Sequence, residues 1–135
     1  MEEIFYIDSN VFIFPVIYDN EKAVRATSIL NKIENKEITE YTSVLTWDEV
    51  TNVVNKIMGN ADSVSTGQKF INYPNFRFIN ADINIIVRAQ EIRENYNVKP
   101  RDAIHMSSAL SRYIHNIISD DSDFYLVNLI NRIKL

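Results

Sequence analysis

Short apolar runs that stop at polar turns alternate along this chain with longer stretches of helical periodicity. The run Ile4-Phe5-Tyr6-Ile7 ends at Asp8-Ser9-Asn10, as a buried strand ends at a polar turn. Residues 41–44 and 76–79 read as two more strands, Ile117-Ile118 leads into Ser119-Asp120-Asp121, and a last strand is expected within 125–135. Between them, 11–18 is apolar nearly throughout and contains Pro15, so it is at best a short helix. Over 21–35, Ala23, Ala26, Leu30 and Ile33 recur at helical spacing. Thr46 is expected to cap a helix through Met58, with Glu49 at the capping-box position. A helix over 62–73 should stop before Pro74. Another over 82–96 carries Ile85, Ala89, Ile92 and Tyr96 on one face, and Pro100 opens a last one with a stripe of Ala103, Met106, Leu110 and Tyr113. Strands that alternate with helices imply an α/β protein whose parallel sheet is covered on both faces.

No internal repeat, low-complexity tract or Pro/Gly/Ser linker interrupts this order, so one domain over 1–135 is expected. The start, MEEIFYIDSN, has acids where a signal peptide needs a basic region, and no apolar run approaches the ~20 residues of a bilayer span. A soluble, cytoplasmic protein with no membrane partner is the expectation. Absence of Cys excludes disulfides, thiolate metal sites and a cysteine nucleophile. The two glycines, Gly59 and Gly67, are isolated, which leaves no P-loop and no GxGxxG dinucleotide loop.

Chemistry must then come from the acids. In open parallel sheets, ligands sit beyond the carboxyl ends of the strands. Asp8 ends the first strand there, and Asp120-Asp121 follow the Ile117-Ile118 strand. Glu49 and Asp102 fall in first turns of helices, which start on the same edge when they follow a strand through a short turn. Each acid alone has a plainer role. Asp8 would cap a helix, Glu49 would complete a capping box, Asp102 would complement a helix dipole, and Asp120, Asp121 and Asp123 would form an acidic turn. Capping does not require all of them at one sheet edge. Carboxylates brought together repel unless a cation holds them ionised. Oxygen ligands, with neither His at a paired ligand spacing, point to Mg²⁺ or Mn²⁺ rather than zinc. Such a site activates water for attack on a phosphodiester and needs no nucleophilic side chain.

IDSN at 7–10, TSVLTWDE at 42–49, KPRDAIH at 99–105 and ISDDSDF at 118–124 together resemble the PIN domain. The similarity is greatest to the small toxin ribonucleases of VapBC toxin–antitoxin systems, and it spans essentially the whole chain. It implies an α/β/α sandwich around a parallel sheet, metal-dependent endonucleolytic cleavage of RNA, an antitoxin partner and a homodimer. By position, Asp8, Glu49, Asp102 and Asp121 match the family's metal-binding catalytic acids, and Asn10 and Ser119 match its supporting polar positions. Asp123 is placed less firmly, because the acid beside the Phe of the last motif varies in position and Tyr125 replaces an Asp common there. Asp120 is an extra acid, and Ser9 stands where Thr is common. No core acid is missing, which favours an active nuclease over a degenerate one.

His105, three residues after Asp102, reads as a histidine bonded to backbone or to a neighbouring acid more readily than as a general base. Arg101 is a candidate phosphate contact. Lys22, Arg25, Lys32 and Lys36 share a sector of their helix, either as a solvated face or as a ridge for RNA. The apolar stretch Val11-Phe12-Ile13-Phe14 with Val16-Ile17-Tyr18 exceeds what a short covered helix buries, and any leftover patch would suit a dimer or antitoxin contact. Two rival functions share these residues: a phosphatase or DNA nuclease using the same acids, and a non-catalytic RNA-binding or protein-interaction module. The net charge of −4 argues at first against nucleic acid. With the four metal-site acids set aside, 14 acidic residues face 14 Lys plus Arg, and the objection lapses.

Overall fold

The computed structural model describes residues 3–122, 124 and 127–135. Strand β1 (Ile4–Ile7) runs into helices α1 (Asn10–Ile17) and α2 (Glu21–Glu34), then β2 (Thr39–Ser43), α3 (Leu45–Met58) and α4 (Asn60–Ile71). The chain continues through β3 (Arg77–Ile79), α5 (Ile83–Asn95), α6 (Pro100–Ser111), β4 (Asn116–Ser119) and β5 (Asn131–Lys134). All strands pair parallel, in the order β3-β2-β1-β4-β5. Parallel neighbours need long crossovers, and the helices supply them.

Side-chain alternation along the strands sends residues to two cores. Tyr6, Ile79 and Ile117 join Ala89, Ile92, Ala103, Met106 and Leu110 of α5 and α6 on one face. Ile7 and Ile118 join Val11, Phe12 and Ile13 of α1, Ala26, Leu30 and Ile33 of α2, Val50 of α3 and Phe70 of α4 on the other. This is the three-layer α/β/α sandwich expected.

Several boundaries differ from the sequence reading. β2 begins two residues early, at Thr39 and Glu40, because both polar residues are buried against the sheet. α3 starts at Leu45 after a Val44 cap that makes no side-chain bond, so Thr46 does not cap and no capping box forms. The Thr46 hydroxyl instead meets that of Thr42 at 2.7 Å, which in turn donates to the Ile7 carbonyl at 2.8 Å. Tyr113 leaves the α6 stripe, since the chain turns at φ 59° just past the helix and exposes 89% of the residue. Gly59 takes φ 96° between α3 and α4, a turn that favours glycine. The apolar α1 stretch is divided: Val11, Phe12 and Ile13 are buried, while Tyr18 is exposed.

Candidate active site

The two central strands β1 and β4 end side by side, and their first residues beyond the pairing meet there. The Asp8 backbone N–H donates to the Ile118 carbonyl at 3.1 Å, which extends the ladder and fixes where the Asp8 side chain begins. Asp8 Oδ1 accepts from the Ser9 N–H at 2.7 Å, and Oδ2 accepts from Ser119 Oγ at 2.6 Å and from Asn10 Nδ2 at 3.4 Å. Ser119 Oγ also accepts from the Asp121 N–H at 2.9 Å and from Asn10 Nδ2 at 3.3 Å. One hydroxyl thus ties the two strand-end acids to a common point. Asp8 is only 4% exposed. Burial pushes its carboxyl above the usual range and Glu49 adds to the rise, while His105 and the Ser119 and Ser9 hydrogen bonds oppose it.

α3 and α6 bring their side chains onto the same edge. Glu49 lies in the second turn of α3, since the helix starts at Leu45, and its Oε1 is bonded to His105 Nε2. His105 is wholly buried in α6, with Nε2 3.6 Å from Asp8 Oδ1. Its other nitrogen, Nδ1, meets the Tyr6 hydroxyl at 2.6 Å, and that oxygen accepts from the Ser43 N–H at 3.1 Å. A neutral ring would accept from the Tyr6 O–H at Nδ1 and donate Nε2–H to Glu49, and a protonated ring would donate from both nitrogens. Burial raises the Tyr6 pKa, so the phenol keeps its proton at neutral pH. On His105 burial is the strongest single influence and pulls the pKa down. Tyr6, the Glu49 bond and the charges of Asp8 and Glu49 together outweigh it and hold the imidazole well above its ordinary value.

Asp8, Glu49 and His105 each offer one ligand atom, and these atoms lie within 4.8 Å of one another. The donors suit a divalent cation: two carboxylates, a neighbouring imidazole and, beside Asp8, a buried Asn10 Oδ1 with no hydrogen-bond partner among the described residues. Asp102, third residue of α6 and 7% exposed, and Asp121, partly buried after β4, stand outside that trio. Asp123 lies outside the described residues. Asn10 and Ser119 both contact Asp8.

The basic candidates are dispersed. Lys22 Nζ pairs with Asp120 at 2.7 Å, at the rim of the site. Arg101 pairs with Asp48 at 3.4 Å, and Arg25 with Glu21 at 3.7 Å. Lys36 does not continue a helical ridge, because α2 ends at Glu34 and Lys36 takes φ 60° beside Thr39 and Glu40, where β2 begins. α2 is 14 residues long and so runs about 20 Å from the site edge toward the opposite one, with Lys32 near its far end. His115 is exposed and donates through Nδ1 to the Leu129 carbonyl at 2.8 Å.

Sequence reasoning assigned Tyr6 to the core and missed its bond to His105. The signal was a phenol inside an apolar strand, since a buried tyrosine hydroxyl ordinarily finds a partner. It also took the cation ligands as oxygen alone, whereas His105 reaches the same space as Asp8 and Glu49.

A parallel sheet sandwiched by helices, with acids gathered where its central strands end, defines a class. The PIN domain family model matches residues 5–129, and the chain belongs to that family. Among solved structures, the fold is similar to the VapBC2 structure from Rickettsia felis bound to a promoter DNA fragment (TM-score 0.75, 14% identity, 98% of each chain covered). It is similar to VapC20 of Mycobacterium tuberculosis, described as a sarcin-ricin loop cleaving toxin (TM-score 0.76, 15% identity, 91% of this chain and 96% of that one). DNA-bound VapBC from Salmonella typhimurium gives a TM-score of 0.71 at 18% identity, covering 99% and 98% of the chains. No curated protein sequence matches the chain. No helix among the described residues is long and apolar enough to cross a membrane.

Proposed function

We propose that this chain is a Mg²⁺- or Mn²⁺-dependent endoribonuclease, the toxin of a toxin–antitoxin pair, acting in the cytoplasm as a homodimer of single-domain protomers. The observation that carries the nuclease reading is the convergence of Asp8, Glu49 and His105 where β1 and β4 end. The toxin reading rests on its PIN membership and on the toxin–antitoxin complexes that share its fold. Asp8 and Glu49 would hold the cation, with Asp102 and Asp121 completing the acidic set. Bound there, a divalent ion supplies an activated water and offsets charge developing on the phosphodiester. The residues around it do separate work. Ser119 and Asn10 fix the Asp8 carboxylate, Tyr6 fixes the ring of His105, and His105 fixes Glu49. Second partners of this kind typically change metal affinity or activity by roughly 10- to 100-fold.

The test is cleavage of a mixed RNA pool with Mn²⁺ or Mg²⁺, with EDTA and Asp102→Asn as controls and with DNA and a phosphomonoester as competing substrates. Metal-dependent RNA cleavage that is lost with EDTA and in the variant supports the proposal. Preferential turnover of DNA or the phosphomonoester, or cleavage that survives EDTA, overturns it.

A further inference from the structure

A cleft of about 480 Å³ lies between α3 and α4, on the flank of α3 that carries Asp48. Trp47, the only tryptophan in the chain, forms part of its wall and is 44% exposed. Behind the indole sits Gly67, in the middle of α4, where glycine weakens a helix relative to alanine. Neither a turn nor a positive φ requires glycine there. The indole does: a Cβ at position 67 would stand 3.0 Å from Trp47 Nε1 and 3.1 Å from Thr51 Cγ2. The helix gives up propensity and gains a close seat for the ring.

The remaining walls are amide-rich and nearly uncharged. Asn52, Asn55 and Gln68 line the cleft along with Val64, and Asp48 is its one charged residue, paired with Arg101. This composition does not suit a phosphate, which needs cations or clustered N–H donors. It suits a planar heterocycle: an aromatic ring to stack on, amides that both donate and accept, and an apolar wall. One ion pair joins the cleft to the catalytic edge: Asp48 on its wall meets Arg101, the neighbour of Asp102 on α6. Trp47 and Glu49, two residues apart on α3, project from different sides of the helix, one toward α4 and the other toward His105.

We infer that the α3–α4 cleft holds one unstacked base of the RNA strand against Trp47, across the Asp48–Arg101 pair from the catalytic edge, which makes Trp47 a substrate-binding residue of the reaction. The inference rests on the ribonuclease reading above and adds to it where the strand lies. A single-tryptophan chain makes the test direct. Short single-stranded ribo-oligonucleotides added to an Asp8→Asn chain should quench the tryptophan emission, and an oligonucleotide abasic throughout should not. In the otherwise wild-type chain with Mn²⁺, Trp47→Ala should raise KM for RNA by roughly five- to hundred-fold. kcat should stay within about twofold, since a stack kept from ground to transition state contributes uniform binding. Trp47→Phe should recover most of the loss, which separates a stacking role from damage to the fold.

If the wild-type chain cleaves RNA but Trp47→Ala does so with unchanged KM, and bases cause no quenching, the base site is overturned while the ribonuclease reading stands. An RNA KM unmoved by Trp47→Ala, with binding of a protein partner lost, overturns it in favour of protein docking. If no metal-dependent RNA cleavage occurs at all, the ribonuclease reading fails, and base-dependent quenching then still supports a base-binding cleft.

Discussion

Asp8 accepts three hydrogen bonds and lies near two further charged or chargeable groups, His105 and Glu49. Asp8→Asn removes its charge at nearly constant shape. We expect that variant to keep its melting temperature within a few degrees in EDTA and to lose cleavage. It should also lose the stabilisation that Mn²⁺ gives the parent chain, about 2.7 kcal/mol at a hundred times the dissociation constant. Melting curves with and without Mn²⁺ check both parts, and an undiminished shift in the variant would remove Asp8 from the metal site. Tyr6→Phe acts differently. It strips the hydroxyl that serves both His105 Nδ1 and the Ser43 N–H, leaving two buried polar groups to find other partners. A loss of about 1–3 kcal/mol in urea unfolding is expected, against near-neutrality if the hydroxyl is idle. At this scale the strand-end position of Asp8 was legible, because it stands in a short polar motif just past the apolar run of β1. The Tyr6–His105–Glu49 chain was not, since residues 6, 49 and 105 are brought together only by the folded sheet and its helices.

The loop that follows β4 is held by an element far along the chain. Arg132, on β5, donates through Nε to the Ser119 carbonyl and through Nη2 to the Asp120 carbonyl, each at 3.0 Å. Lys22 of α2 holds the Asp120 side chain from the other side. The edge strand therefore clamps the segment that carries Asp121. Arg132→Ala should lower kcat by roughly 10- to 100-fold and raise the Mn²⁺ concentration needed for half-maximal activity, with KM for RNA little changed. A variant that merely melts earlier, with unaltered kcat and metal requirement, would make the contact structural only. Most elements were legible from apolar periodicity, which is strong in α2, α5 and α6. The start of β2 was not, because Thr39 and Glu40 are polar and yet covered. Nor was the start of α3: a Thr followed three residues later by Glu has the form of a capping box, and here both side chains were taken by tertiary partners.

Across the whole molecule, the end of the sheet opposite the candidate active site carries a different kind of acid. Glu40 is wholly covered beside Arg77. Burial raises its pKa to about 7, opposed by the Arg77 charge and by the backbone N–H groups of Glu40 and Arg77, while an exposed glutamate titrates near 4.5. The folded chain thus binds a proton more tightly than the unfolded one. The resulting stability is fully present below pH 4.5 and is lost as pH rises through about 7. Glu40→Gln should remove that dependence, so its advantage over the parent chain should grow as pH rises from 5 to 8. Parallel pH profiles for the two chains would refute this. The layered fold itself was legible because alternating short strands and long helices leave few other topologies. Strand order carries one more consequence. The chain lays down β1, β2 and β3 outward from the centre, then returns to place β4 on the other side of β1. On a ribosome, Asp8, Glu49 and Asp102 are all synthesised before Ser119, the residue that joins Asp8 to the Asp121 backbone, and Arg132 follows later still. A growing chain holds most of the acids long before it can hold them together, so the candidate site cannot be tied shut until β4 and β5 have both emerged.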